Sequence, residues 1–332
     1  LPLKFYAQNS NMKPNSSADS AIQINLELLK TLPLPEYSDD ANKADYGKLL
    51  LVAGSRRLPG AAILAARAAL RGGCGTVRVA APESVASAIG IAVPELMVLP
   101  MPETADGTIA LGAQKLLEEQ VAACDAAVIG PGLDESEETQ QLLKLLAHDL
   151  ALPCVLDAAA IVALSGEKMK FAAPRVWTPH AQEMSVLSGR DVKEIQAARE
   201  AAATECARDW KSPVVLKGRE TLIADAKGTL YKNEAGTRGM GTAGSGDVLA
   251  GLIGSLLAQI ATQTATQKVE SVRAAIWGVH LHALAGEAAE KEFGDDSLTA
   301  SDLIARLPGV LRYARKHTAK KAEGERTGLR RE

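Results

Sequence analysis

Unbroken apolar runs of three or four residues recur along the chain, each closing on glycine or a polar residue. The first is Leu49-Leu50-Leu51-Val52, which ends at Ala53-Gly54. A run without alternation is buried on both faces, as in a parallel sheet covered by helices on either side. The same reasoning predicts strands at Val77–Ala80, Ala126–Ile129, Cys154–Leu156, Val176–Thr178 and Val214–Leu216. A hairpin is predicted from Thr221–Ala224 to Thr229–Tyr231, turning at Asp225 to Gly228. Between these runs lie Ala/Leu-rich stretches with helical spacing. Ala61–Leu70 has Pro59 near its start and Gly72-Gly73 past its end, which is how helix ends are marked. Longer helices are predicted over Asp247–Gln259 and Val272–Glu290. The order gives an α/β class, a mostly parallel sheet with helices on both faces.

No composition break suggests a linker, so residues 45–310 read as a single domain. Residues 1–44 are rich in Asn, Ser, Asp and Pro and read as an arm. It is flexible over Asn9–Ser20, with a short helix over Ala21–Lys30 that Pro33 and Pro35 stop. Residues 311–332 read as a basic, partly disordered tail, because eight Lys/Arg face three Glu from Arg312 onward.

Composition then removes whole classes of function. Lys and Arg total 37 against 40 Asp and Glu, a net charge of −3, so the basic footprint of a nucleic-acid binder is missing. Aromatic residues are 3% of the chain, which leaves few platforms for stacking bases. No apolar run reaches the roughly 18 residues of a membrane span. Cys74, Cys124, Cys154 and Cys206 have neither zinc-ligand nor redox spacing and read as buried free thiols. The expectation is a cytoplasmic protein without nucleic-acid or membrane partners.

On an open α/β sheet, ligands sit beyond the carboxyl ends of the strands. The residues there are Gly54-Ser55, Gly130-Pro131-Gly132, Asp157, Thr178-Pro179-His180, Lys217-Gly218 and a glycine cluster before Asp247. That cluster, Gly239 to Gly251, nearly fits two known patterns. Gly239, Gly241 and Gly244 spell GxGxxG, but a turn precedes them and no βαβ unit follows. Gly241 to Gly246 matches the glycine frame of a P-loop, but Asp247 stands where the phosphate-gripping Lys belongs.

The chemistry changes if Asp247 is a base. Glycine-rich backbone at a helix N-terminus presents free N–H groups and a positive dipole end to developing phosphoryl charge. An adjacent Asp takes the proton of the attacking hydroxyl. The candidate anion hole is Gly241, Thr242, Ala243, Gly244, Ser245 and Gly246. The alternative is an Asp that only favours the helix dipole. Lys217-Gly218-Arg219-Glu220-Thr221 either holds a nucleotide or is a surface turn between two strands. His180 either bonds substrate or serves the local structure. His280 and His282, two apart on a helix, point to different sides and do not form a metal pair.

Taken in order, the motifs resemble the NAD(P)H-hydrate dehydratase family of the ribokinase-like fold. They are Tyr46-Gly47-Lys48 leading into Leu49–Gly54, Pro59-Gly60-Ala61-Ala62, and Gly72-Gly73-Cys74-Gly75. Ile129-Gly130-Pro131-Gly132-Leu133, Val155-Leu156-Asp157-Ala158 and Thr178 to Met184 follow. Val214–Gly218, Gly239–Gly251, His280 to Gly286 and Ala300-Ser301-Asp302-Leu303 complete the series. The resemblance implies a three-layer α/β/α domain and a lyase that repairs hydrated NADH or NADPH. A nucleotide, ADP or ATP, phosphorylates the ring hydroxyl, and loss of phosphate restores the double bond. It implies that Lys217 to Thr221 and Gly246 contact the nucleotide, and that Ala61, Gly132, His180 and Asp247 contact the hydrated dinucleotide. It also implies Mg²⁺ with the donor, a homotetramer, and a separately encoded epimerase on the same substrate pool. The stretch before Asp45 is too short for the epimerase domain that some members carry. Three positions depart from the family pattern: Asp134 replaces a Gly, Ala159 the second Asp of Asp-Ala-Asp, and Gln182 a Gly.

Overall fold

The computed structural model describes residues 21–263 and 270–318. Ten strands form one sheet. They are β1 (Ile22–Gln23), β2 (Lys48–Val52), β3 (Thr76–Pro82), β4 (Met97–Met101) and β5 (Ala126–Ile129). The rest are β6 (Cys154–Leu156), β7 (Arg175–Trp177), β8 (Val214–Leu216), β9 (Thr221–Ala224) and β10 (Leu230–Asn233). The order is β1-β10-β9-β8-β7-β6-β5-β2-β3-β4. Strands β8 through β4 run parallel, and β9, the first arm of the β9–β10 hairpin, is antiparallel to β8.

The unbroken apolar runs are explained by the two layers that cover the sheet. Leu49 and Leu51 of β2 enter one core cluster, Leu50 and Val52 the other. Successive side chains on a strand point to opposite faces, so both sets must be apolar. The first layer holds α2 (Pro59–Arg71), α10 (Ser245–Gln263), α11 (Ser271–Phe293) and α12 (Ala300–Thr318). The second holds α5 (Glu137–Asp149), α6 (Ala159–Ala163), α7 (Ala181–Ser188) and α9 (Arg199–Asp209). The smaller helices are α1 (Leu26–Thr31), α3 (Glu83–Ala92), α4 (Gln114–Val121) and α8 (Val192–Ala197).

Helix α10 is long and apolar enough to cross a membrane, but most of it is buried inside the fold against α2, α11 and the sheet. Gly251 sets the spacing of α10 and α2. A Cβ there would stand 2.1 Å from the backbone oxygen of Ala65. This motif glycine therefore serves helix packing, not ligand contact.

The ordered body begins earlier than Asp45. Ile22 and Gln23 pair with β10, and Ile24, Leu29 and Leu34 enter the first core cluster. The Trp277 indole N–H donates to the Leu32 carbonyl at 2.6 Å, and Arg315 Nη1 donates to the Pro35 carbonyl at 2.8 Å. The predicted helix over 21–30 is a short strand followed by α1, whose N-cap Asn25 accepts from the Leu28 amide. The basic tail begins later than residue 311. Leu303, Leu307, Val310 and Ala314 form one buried stripe, and α12 runs on to Thr318. The remainder of the expected tail and the Asn9–Ser20 arm lie outside the described residues. All four cysteines are free and buried, and burial raises every thiol pKa, that of Cys74 to about 12. These thiols are chemically quiet.

Candidate active site

The chain adds strands outward from β2 to β4, then returns to add β5 to β8 on the other side. The crevice of such a sheet opens where the order reverses, beyond β2 and β5. Gly54 follows β2 and Gly130 follows β5, both at positive φ (84° and 118°), and the Gly54 amide donates to the Pro131 carbonyl at 2.8 Å. Gly132, at φ 67°, lies directly against Ala61 in the first turn of α2. A Cβ on Gly132 would fall 2.5 Å from that of Ala61.

The glycine loop sits on the same helix. Gly244, at φ 85°, has no room for a Cβ, which would meet the Leu64 side chain at 2.4 Å. The loop is anchored upstream by Arg238, which pairs with Asp295 and Asp296, and by Thr237, whose hydroxyl donates to Glu290 at 2.6 Å. Met240 packs on Gly286, which explains that motif glycine. No acceptor among the described residues meets the backbone N–H groups of Thr242, Ala243, Gly244, Gly246 or Asp247. The amides of Gly241 and Ser245 are different. They donate to Arg238 and Thr242 carbonyls at 3.0 and 3.3 Å, because each closes a tight turn. The open donor set is thus Thr242, Ala243, Gly244, Gly246 and Asp247, one residue beyond the predicted span and without its two turn-closing members.

Asp247 lies in the first turn of α10, partly buried. Burial, then the negative charge of Asp157, push its pKa up to about 7, with Lys217 opposing. A carboxyl poised there accepts a proton near neutrality. Lys217, at the end of β8, is the cation whose charge acts on it. Its Nζ lies 3.0 Å from Asp157 Oδ1 and 3.4 Å from Glu183 Oε2, and 3.7 Å from where a Cβ on Gly246 would be. Burial works against its charge, but Asp157 and Glu183 together outweigh that and hold its pKa above the ordinary value.

Asp157 is buried at the end of β6 and also accepts from the Thr178 hydroxyl at 2.7 Å. The chain of contacts continues to His180, the N-cap of α7. Its Nδ1 accepts from the Gln182 and Glu183 amides at 3.1 and 3.2 Å, while Glu183 accepts from the His180 amide at 2.7 Å. Nδ1 is therefore an acceptor, the ring is exposed, and Nε2 lies 3.6 Å from Glu183 Oε1. His180 thus has a structural role here as the cap of α7.

The 217–221 loop wraps the half-buried guanidinium of Arg199, whose Nη2 donates to the carbonyls of Leu216, Lys217 and Glu220 at 3.1, 3.3 and 3.0 Å. Gly218 is needed because a Cβ would come within 2.6 Å of that group. Thr221 closes the loop on the Gly218 carbonyl at 3.3 Å. Glu220 turns away to pair with Lys232 at 2.8 Å, and Arg219 is exposed.

His280 bonds Asn233 at 3.0 Å and His282 bonds Ser245 at 3.3 Å; burial lowers the pKa of each to about 4. No group of three His, Cys, Asp or Glu side chains among the described residues could hold a metal ion. Of the three departures, Ala159 is buried in α6 and Gln182 is exposed. Asp134 lies 3.9 Å from Arg57, with Oδ2 buried and without a hydrogen bond.

Ala158 is strained, at φ 47° and ψ −116°, a conformation that glycine tolerates and alanine does not. Such strain costs about 1–3 kcal/mol, while a glycine adds about 0.4–1 kcal/mol of unfolded-state entropy. Ala158→Gly is expected to stabilise the fold by roughly 1 kcal/mol. A urea midpoint that falls would contradict this.

The family model for NAD(P)H-hydrate dehydratase matches residues 49–309. The chain is 38% identical to the ADP-dependent (S)-NAD(P)H-hydrate dehydratase of Xanthomonas campestris, over 85% of this chain and 93% of that one. It is 40% identical to the bifunctional NAD(P)H-hydrate repair enzyme Nnr of Thermofilum pendens over 88% of its length, but spans 55% of that relative. Among solved structures it is similar to the ADP/ATP-dependent NAD(P)H-hydrate dehydratase of Bacillus subtilis co-crystallised with ATP and Mg²⁺. There the TM-score is 0.74 and identity 29%, over 90% of this chain and all of the other. The shared ribokinase-like architecture and the length of these matches lead to one conclusion: the chain belongs to the NAD(P)H-hydrate dehydratase family.

Proposed function

We propose that the protein is an ADP-dependent (S)-NAD(P)H-hydrate dehydratase. One observation carries the reading: a carboxyl with a near-neutral pKa stands behind a row of open amides and beside a buried ammonium. That is the equipment for moving a phosphoryl group onto a hydroxyl. Asp247 takes the proton of the ring hydroxyl, whose oxygen attacks the terminal phosphorus of ADP, and AMP leaves. The open amides of Thr242, Ala243, Gly244, Gly246 and Asp247 and the Lys217 ammonium hold the charge that develops on the phosphoryl oxygens. The phosphorylated ring then loses phosphate from one carbon and a proton from its neighbour, which restores the double bond. Mg²⁺, when bound to the nucleotide, neutralises its phosphates. The named Xanthomonas relative supports ADP as the donor.

The crevice beyond β2 and β5, where Gly132 packs against Ala61, is the place for the hydrated dinucleotide. The reading extends to a cytoplasmic homotetramer, consistent with four free thiols and with the exposed Ile91 and Met97 beside the β4 edge.

The test mixes protein, Mg²⁺ and hydrated NADH with ADP or ATP and follows the return of reduced-nicotinamide absorbance. Recovery is expected with ADP and none without nucleotide. Protein that binds ADP but restores nothing with either nucleotide would sink the proposal, and turnover of ATP with a plain alcohol would mark a small-molecule kinase instead.

A further inference from the structure

The site holds two carboxylates to which no individual role has been given, Asp157 and Glu183, both on the same ammonium. We propose that Asp157 is a positioning residue that fixes the Lys217 ammonium at the mouth of α10, with its own buried charge beside Asp247. This rests on the reading of Asp247 as the proton acceptor.

The geometry is over-determined. Asp157 is 2% exposed, it follows β6 directly, and the Thr178 hydroxyl and Lys217 Nζ both donate to its Oδ1, at 2.7 and 3.0 Å. Gly130 presses on the Asp157 backbone so closely that it cannot carry a Cβ. Lys217 is held from the other side by Glu183, and its amide is tied to the Pro179 carbonyl at 2.8 Å. An ammonium fixed by two carboxylates stays beside Gly246, within reach of a phosphoryl group on the open amides.

The charges facing Asp247 come from several elements. Asp157 at the end of β6 disfavours its ionised form, and Lys217 at the end of β8 favours it. Glu183, from the start of α7, acts on Lys217 rather than on Asp247 directly, and His180 caps the same helix. His282 on α11 is kept neutral by burial. Asp302 on α12 is engaged by the Thr299 hydroxyl, and Arg67 on α2 donates to the Ala92 carbonyl. Asp157 and Lys217 thus push Asp247 in opposite directions, and Asp157 anchors the cation that opposes it.

The test reads Asp247 with and without turnover. The first readout is the acid limb of kcat/KM against pH for wild type, Asp157→Asn and Lys217→Met. The second is the stability gained by adding Asp247→Asn to each background, followed against pH: the gain grows from where the unfolded chain ionises and levels off at the folded-state midpoint of Asp247, which is the value read. In Asp157→Asn the direct negative charge is lost while Glu183 still holds Lys217, so both midpoints are expected to fall by about one pH unit, a tenfold change in proton affinity. The rate plateau should fall with them. In Lys217→Met the midpoints are expected to rise. A loss of activity in Asp157→Asn with both midpoints unmoved would reduce Asp157 to a structural residue and overturn the proposal. If Asp157→Asn does not fold, Lys217→Met decides alone, and an unmoved midpoint there overturns it. A wild type without dehydratase activity would refute the functional reading, while the stability midpoints would still test this one.

Discussion

Asp247→Asn is expected to reduce nucleotide-dependent dehydration by roughly 10²–10⁴-fold, the usual weight of a positioned general base. The same change is expected to make the protein more stable. The folded-state pKa of Asp247 is raised from 3.8 to about 7, with burial as the first cause. The unfolded chain therefore ionises this group at lower pH than the folded one. Between about pH 4 and pH 7 the folded state binds the extra proton, so stability contributed at this position falls as pH rises through that window. Above it the partly buried carboxylate costs on the order of 4 kcal/mol. An asparagine carries no such cost. The variant should match wild type near pH 4, melt several degrees higher at pH 8, and remove the acid limb near pH 7 from whatever activity is left. Thermal melts at the two pH values with parallel rate measurements check both halves. A variant that keeps its rate, or whose stability gain does not depend on pH, would remove Asp247 from the chemistry.

That trade of stability for a poised carboxyl was readable only in part from the chain. The glycine cluster before Asp247 was legible, because glycine-rich backbone at a helix start has few other uses. So were the inner strands, since burial on both faces forbids polar residues and leaves continuous apolar runs; Ala126–Ile129, Cys154–Leu156 and Val214–Leu216 fall on β5, β6 and β8 residue for residue. Strand β4 was not. Met97–Met101 contains Pro100, which reads as a break, and an edge strand tolerates it because one side of its backbone needs no partner. The segment 22–34 reads as an arm because it finds its partners near residues 232 and 277, far beyond any local window. The charge cluster was hidden for the same reason. Lys217 and Asp157 are 60 positions apart, and only the parallel order β6-β7-β8 brings their strand ends together. His180 shows the converse. Its motif was visible, but only the geometry shows that its Nδ1 is spent on capping α7.

Gly130→Ala is expected to be the most damaging single-methyl change in the site. Two effects add at this position. The backbone has φ 118°, where an L side chain is strained whatever the surroundings. The added Cβ would also stand 1.9 Å from the Asp157 carbonyl oxygen and 2.9 Å from the Ala160 amide nitrogen. Both neighbours are backbone, so no side-chain rotation relieves the contact. The end of β6 has to move, although the Asp157 amide is bonded to the Ile129 carbonyl at 3.1 Å. Displacing Asp157 displaces Lys217, and the cost is therefore felt in chemistry as well as in folding. A loss of about 4 kcal/mol or more is expected, the range reached when a substitution meets immovable structure. Gly166→Ala isolates the backbone part. It has φ 75° with nothing within 4 Å of the new methyl, so it should cost only about 1 kcal/mol. Urea midpoints of the two variants measure the difference, and ADP binding reports the site. Equal destabilisation by the two would mean that the φ angle alone matters and that the Gly130–Asp157 contact yields. A folded Gly130→Ala protein with wild-type activity would show that Asp157 need not stand where it does for Lys217 to reach the phosphoryl group.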